Sequence, residues 1–136
     1  MLAAPPGLLS LKGIVMFQWN ISTGELYHPS GNMVWSGYAG FQQFANDPAA
    51  VMMKSRGPLP PGVYTLGKAV IHPRLGPQAI PLVPDEGNVM FGRSGFYIHG
   101  DNSRGDRSGS HGCIILPRAA RNMLATSPVR QIKVVP

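Results

Sequence analysis

The single cysteine of this chain lies in a segment whose residue types could carry out nucleophilic chemistry. Ser110, His111 and Gly112 immediately precede Cys113, and His99 lies upstream across a polar loop. A catalytic thiol needs a base that can hold its proton and hydrogen-bond donors for the oxyanion that forms on the substrate. Either histidine could serve as the base, and the amides of Gly112 and Cys113 could bind the oxyanion. The segment therefore has the residue types for thiol catalysis with Cys113 as the nucleophile, and a structural cysteine is the alternative that these residues leave open.

Short strands must position these groups. If residues 110–116 are extended, the alternation of side chains along a strand puts His111 and Cys113 on the same face. If residues 97–99 form a neighbouring strand, His99 can reach Cys113 from across the site. Spacing alone does not choose between the two histidines.

The rest of the chain predicts mainly β-structure with one or two short helices. Glycine (17) and proline (14) are frequent and spread along the chain, with apolar β-forming residues between them, which favours many turns and short strands. Strands are predicted over residues 17–19, 25–28, 33–38, 63–72, 79–83, 95–99, 113–116 and 131–135, a short helical turn within 40–50, and a helix over 117–126. Residues 16–136 are predicted to form a single catalytic domain, and residues 1–15 a flexible leader or N-terminal extension.

The chain of 136 residues has a formal net charge of +6, which favours an anionic partner such as nucleic acid, anionic lipid or bacterial wall polymer. Its basic residues are scattered, so a dedicated nucleic-acid surface is not indicated. No apolar stretch approaches the roughly 18 residues of a membrane span. Residues 1–15 have no basic residue before Lys12 and fit a signal peptide poorly. One cysteine excludes an intramolecular disulfide.

The pattern His99-Gly100, a gap, then Ser110-His111-Gly112-Cys113-Ile114 resembles the signature of the YkuD-like L,D-transpeptidase catalytic domain. The resemblance implies a β-sandwich or barrel-like fold and a peptidoglycan tetrapeptide stem as substrate. It also implies L,D-carboxypeptidase activity or L,D-transpeptidase exchange of D-amino acids, without a cofactor.

A second resemblance covers more of the chain. The segments 35–38, 57–64 and 93–102 look like those of type VI secretion L,D-transpeptidase effectors. This resemblance implies an antibacterial toxin secreted without a signal peptide, which acts in the periplasm of a target bacterium. It also implies a cognate immunity protein and contact with a secretion component.

The resemblance also implies roles for individual residues. Cys113 would be the nucleophile and His99 the base, whose second ring nitrogen is oriented by a backbone carbonyl such as that of Gly100. Ser110, His111 and Gly112 would shape the nucleophile turn and the oxyanion site.

Substrate contacts are predicted from Gly100, Asp101 and Asn102, at the start of the polar loop. Housekeeping members of the family usually carry arginine where this chain has Ile115. Arg93 and Arg118 are therefore candidates for holding a substrate carboxylate.

Three alternatives remain open from the sequence. His99, Asp101, His111 and Cys113 are possible zinc ligands, so the chain could be a zinc-dependent cell-wall peptidase. It could be a housekeeping periplasmic L,D-transpeptidase. It could also be a basic wall-binding module without activity, in which Cys113 is an inert thiol.

Overall fold

The computed structural model of the chain describes residues 15–136, and the predicted leader lies almost entirely outside this range. Ten strands and one α-helix make up the described part. Their bounds are β1 Phe17–Asn20, β2 Glu25–Tyr27, β3 Met33–Ser36, β4 Tyr38–Ala39, β5 Gly62–Leu66, β6 Val70–His72, β7 Gly76–Pro84, β8 Tyr97–His99, β9 Ile114–Ile115, α1 Arg118–Thr126 and β10 Gln131–Val135. Single 3-10 turns occupy Gln42–Phe44 and Pro48–Ala50.

The mainly β fold class is confirmed, and the largest differences from the predicted bounds are at three strands. The strand predicted over 33–38 is divided at Gly37, which lies so close to the main-chain oxygen of Ile115 that a Cβ there would overlap it. The strand predicted over 63–72 ends at Leu66 and resumes at Val70. The weakly patterned segment 79–83 belongs to β7, which is nine residues long.

The strands follow the order β3-β2-β1-β10-β5-β7-β8-β9-β4, and β6 pairs with β7. The core lies beneath this sheet and includes Trp19, Tyr64, Ile98 and Ile114, each fully buried. Alternate residues of β1 and β10 point into it, as their period of two predicts. Helix α1 packs on β7.

The parallel pair formed by β8 and β9 positions the residues of interest. Ile98 pairs with Ile114, and His99 with Ile115. This register places Cys113, one residue before β9, beside Tyr97 at the start of β8. Side chains two residues apart share a face of a strand, so His99 lies on the same face as Tyr97.

Within residues 15–136, no helix has the length and apolar character needed to cross a bilayer.

The loop around Gly57 packs beside the turn that precedes Cys113, where the Leu59 amide donates a hydrogen bond to the Gly112 carbonyl. An alanine Cβ at Gly57 would overlap the main-chain oxygen of Ala50, whereas Gly87 has open space at the corresponding position. We expect Gly57→Ala to lower the free energy of unfolding by about 1–3 kcal/mol, the usual cost of overpacking. Gly87→Ala, the matched control, should change it by less than about 0.5 kcal/mol. Urea denaturation of both variants makes the comparison, and equal stabilities would contradict the predicted overlap.

Candidate active site

Cys113 is half-buried beside the main chain of β8. The amide of Tyr97 donates a hydrogen bond to its Sγ at 3.3 Å. Burial raises the pKa of the Cys113 thiol, while the Tyr97 amide and the charge of Arg93 act in the opposite direction. Because burial dominates, the free protein holds Cys113 as a thiol at neutral pH.

His99 is 4% exposed, at the end of β8. Its Nδ1 lies 2.8 Å from the carbonyl oxygen of Gly100, which can only accept a hydrogen bond. Nδ1 therefore carries the proton, and Nε2 keeps its lone pair. Burial lowers the pKa of His99, with an opposing contribution from the Gly100 carbonyl. The imidazole is thus neutral at neutral pH and can accept a proton, as a general base must.

Ser110 fixes the turn that presents Cys113. Its buried Oγ donates to the Cys113 carbonyl at 2.6 Å and accepts from the amides of Gly40 and Gly112 at 2.9 and 3.0 Å. The serine predicted to shape the nucleophile turn is placed to do so. The amide of Gly112, one of the two proposed for the oxyanion, is already engaged by this bond.

Gly112 adopts a φ of +140°, which favours glycine. A Cβ there would also lie 2.7 Å from Nη2 of Arg93 and from the ring of Phe96. Gly112 therefore lets the nucleophile turn pass close to a buried guanidinium. Its role is backbone geometry.

Arg93 is 7% exposed and ties three segments together. Its Nη1 donates to the carbonyls of Val51 and Pro58 at 2.6 and 2.8 Å. Its Nη2 donates to those of Gly57 and His111 at 2.8 and 3.2 Å. Four carbonyls thus engage the two terminal nitrogens. A substrate carboxylate would have to displace them.

His111 is exposed beside Cys113. Its Nδ1 lies 3.3 Å from the Ser55 carbonyl, and its ring stacks on Phe41 with 5.2 Å between centroids. His99 is buried and its Nδ1 contact with a carbonyl is shorter, 2.8 Å against 3.3 Å for His111, so the geometry favours His99 as the base.

The predicted substrate-facing loop begins with Gly100, Asp101 and Asn102. Asp101 Oδ1 accepts from the Tyr38 hydroxyl at 2.6 Å and from the Asn102 amide at 2.9 Å. Asn102 Nδ2 donates to Ser108 Oγ at 2.9 Å. These bonds order the two ends of the loop against each other and leave the loop exposed.

Arg118 and Arg121 differ in burial, although both lie on α1. Arg118 is exposed, with Nε 3.4 Å from Asn122 Oδ1. Arg121 is 8% exposed, and its Nε donates to the Leu116 carbonyl at 3.0 Å. Its Nη2 would lie 2.8 Å from a Cβ at Gly100. Arg121 therefore backs the residue that orients His99. The sequence analysis missed Arg121, whose three-residue spacing from Leu124 is a signal that it faces inward.

Two cavities meet at Cys113. The His99 cavity, of about 290 Å³, is lined by His72, Arg74, Leu75, Gly95, Tyr97, His99, Gly109, His111 and Cys113. The Lys54 cavity, of about 310 Å³, is lined by Lys54, Ser55, Gly92, Arg93, Ser94, Gly95, Phe96, His111 and Cys113. No Asp or Glu is among these described residues. The thiol is thus accessible from two sides in a basic environment.

The zinc alternative required His99, Asp101 and His111 to converge. In residues 15–136, no three His, Cys, Asp or Glu side chains are grouped so that they could hold a metal ion. Asp101 is instead bonded to Tyr38. The arrangement favours thiol chemistry over a metal site.

The architecture around this site is that of L,D-transpeptidases. The L,D-transpeptidase (residues 123–326) from Xylanimonas cellulosilytica DSM 15894 superposes with a TM-score of 0.51 at 17% identity, over 88% of this chain and 59% of that one. The avibactam carbamoyl enzyme of Ldtfm superposes with a TM-score of 0.50 at 13% identity, over 89% and 48%. The chain thus spans about half to three fifths of the length of these structures. No curated protein sequence matches it significantly.

The match to a sequence family is more specific than the similarity of fold. Residues 32–135 match the Tlde1 domain, which covers most of the 136 residues. The chain belongs to the Tlde1 domain family. The resemblance to L,D-transpeptidases found in the sequence is thereby confirmed for family and fold.

The charge of Arg93 acts on the thiol through space, which gives a measurable consequence. We expect Arg93→Met to raise the pKa of Cys113 and to slow its alkylation by iodoacetamide at pH 8, because a buried positive charge is removed. Arg93→Lys should lie nearer to the wild type. The alkylation rate as a function of pH gives the thiol pKa directly.

The control for this measurement is Arg118→Met, which removes an exposed arginine and should leave the thiol pKa unchanged. Circular dichroism identifies any variant that has lost its fold. An unchanged thiol pKa in folded Arg93→Met protein would contradict the prediction.

Proposed function

We propose that the chain is a cysteine-dependent enzyme that modifies peptidoglycan. It acts as an L,D-carboxypeptidase and exchanges D-amino acids on tetrapeptide stems by L,D-transpeptidation. One observation carries this proposal: Cys113 and a neutral His99, fixed as the Nδ1–H tautomer, line the same cavity. Membership of the Tlde1 domain family and the L,D-transpeptidase fold support the choice of substrate.

The reaction begins with the thiol. His99 Nε2 accepts its proton as Sγ attacks the carbonyl of the third stem residue. Expulsion of the terminal D-alanine breaks the amide bond, and the imidazolium returns the proton to the departing nitrogen. The product is a thioester on Cys113. Water then releases a trimmed stem, or the amine of a D-amino acid releases an exchanged one, and in each case His99 accepts a proton from the nucleophile and returns it to Sγ.

Because the Cys113 thiol and the His99 imidazole are both neutral in the free protein, this mechanism relies on general-base catalysis by His99 as the thiol attacks the substrate carbonyl. A preformed thiolate–imidazolium pair would require a lowered thiol pKa and a raised histidine pKa, and burial moves both in the opposite direction.

The acyl-transfer step is tested with disaccharide-tetrapeptide muropeptides, with and without a free D-amino acid, and mass spectrometry of the products. Wild type should release or exchange the terminal D-alanine. Cys113→Ala should lose at least about 1,000-fold in rate, since no other nucleophile replaces the thiol. His99→Gln should be similarly impaired.

Equal turnover by wild type and Cys113→Ala would remove the cysteine mechanism. Absence of turnover in a folded wild-type protein would favour the wall-binding alternative.

We further propose that the enzyme is an antibacterial type VI secretion effector that acts in the periplasm of a target bacterium and is neutralised in its producer by an immunity protein. The resemblance to effectors of that kind and the Tlde1 family match support this role. Trimmed or exchanged stems can no longer donate the acyl group of a cross-link, so the reaction weakens the wall.

Expression in a susceptible bacterium tests the site of action. With an added export signal, wild type should arrest growth and cause lysis, whereas cytoplasmic wild type and exported Cys113→Ala should not, because each lacks either the substrate or the nucleophile. Viable counts and microscopy measure the effect. Toxicity of the cytoplasmic protein would argue against a wall target.

A further inference from the structure

The two cavities at Cys113 are not equivalent, because His99 lines only the first of them, the His99 cavity, and not the Lys54 cavity. In amide cleavage the general acid must reach the nitrogen of the leaving group. If His99 is that acid, the departing residue occupies the His99 cavity. The acyl portion of the substrate then extends toward the Lys54 cavity.

The residue that departs from a tetrapeptide stem is C-terminal, and it carries a free carboxylate. In the His99 cavity the side chain suited to such a group is Arg74. It is exposed, and its guanidinium makes no hydrogen bond or ion pair within residues 15–136. No Asp or Glu of the described chain lines this cavity to compete for it.

We propose that Arg74 binds the terminal carboxylate of the leaving residue and thereby selects stems with a free C-terminus. This inference rests on the proposed function and assigns the recognition step within it. Arginine suits this role because its planar guanidinium can donate two parallel hydrogen bonds to a carboxylate.

The position of Arg74 is fixed by the hairpin that carries it. His72 Nδ1 accepts from the amides of Arg74 and Leu75 at 3.0 and 3.2 Å, which closes the tip between β6 and β7. The His72 ring packs edge-on against Tyr97, with 5.2 Å between centroids. Strand β7 pairs in turn with β8, which carries His99. The main chain of Arg74 is thus tied through β7 to the strand that carries His99.

The other cations nearby are less suited to the leaving group. The terminal nitrogens of Arg93 already donate to four carbonyls. Lys54 lines the cavity that lacks His99. Arg118 lines neither cavity. The carboxylate role predicted for Arg93 or Arg118 would therefore fall to Arg74.

The test compares two substrates that differ in one group. A disaccharide-tetrapeptide with a free terminal carboxylate is paired with the same compound ending in a carboxamide, and kcat/KM is measured for release of the last residue. Wild type should prefer the carboxylate by roughly tenfold to a hundredfold, the range for one charge-assisted hydrogen bond. Arg74→Met should lose that preference by losing activity on the carboxylate, and Arg74→Lys should recover part of it.

Lys54→Met is the matched comparison, because it removes a cation from the opposite cavity. It should keep the carboxylate preference of the wild type. Loss of the preference in Lys54→Met, with its retention in Arg74→Met, would place the leaving group in the Lys54 cavity and overturn the inference.

A binding measurement separates this inference from the proposed reaction. Calorimetry with Cys113→Ala protein should show tighter binding of the carboxylate stem than of the carboxamide, and Arg74→Met in the same background should remove the difference. Such binding without turnover by wild type would support Arg74 while contradicting the reaction. Turnover with an unchanged preference in Arg74→Met would support the reaction and overturn the role of Arg74.

Discussion

The parallel pairing of β8 with β9 is the constraint on which the site depends. Parallel neighbours cannot be joined by a tight turn, so the chain must travel from the end of β8 back to the start of β9. That connection contains Asp101, the exposed loop and the Ser110 turn. The register then puts Cys113 against the Tyr97 amide and His99 farther along the same face. The relative position of Cys113 and His99 is thus a property of one strand pair and its crossover.

Hydrogen bonds from arginine to main-chain carbonyls hold the irregular segments around this pair. The chain has 12 Lys and Arg against 6 Asp and Glu. Arg93, Arg121 and Arg130 each donate to carbonyls of separate segments. A charged donor makes each such bond stronger than a neutral one. Arg93 and Arg121 also place positive charge close to Cys113 and Gly100 respectively.

The free protein holds its proton-transfer groups in their neutral forms. Burial raises the pKa of Cys113 and lowers that of His99, and in both cases it outweighs the neighbouring charges. A neutral thiol avoids the cost of a buried unpaired charge. In the proposed mechanism, the thiolate and imidazolium therefore form only as substrate arrives.

The sequence alone determined the class of structure, and it predicted Cys113 and His99 as the reactive groups. Strands β1 and β10 follow from alternating apolar residues, and α1 from Pro117 followed by helical spacing. The prediction of Cys113 and His99 rests on residue type and on the resemblance of the motif to that of L,D-transpeptidases, because spacing alone leaves His99 and His111 equivalent. Ser110 and Gly112 follow from the same motif.

The tertiary structure decided what depends on contacts between distant segments. One predicted strand is divided at Gly37, where the main chain of β9 comes close, and no local pattern records that approach. The burial of Arg93 against Gly57, Pro58 and His111 likewise cannot be seen in the order of residues. The sequence identifies the groups that can react, since the type of functional group is set by the side chain. Only the fold decides which cation is engaged by the backbone and which, like Arg74, faces a cavity, since that depends on where the strands bring their ends together.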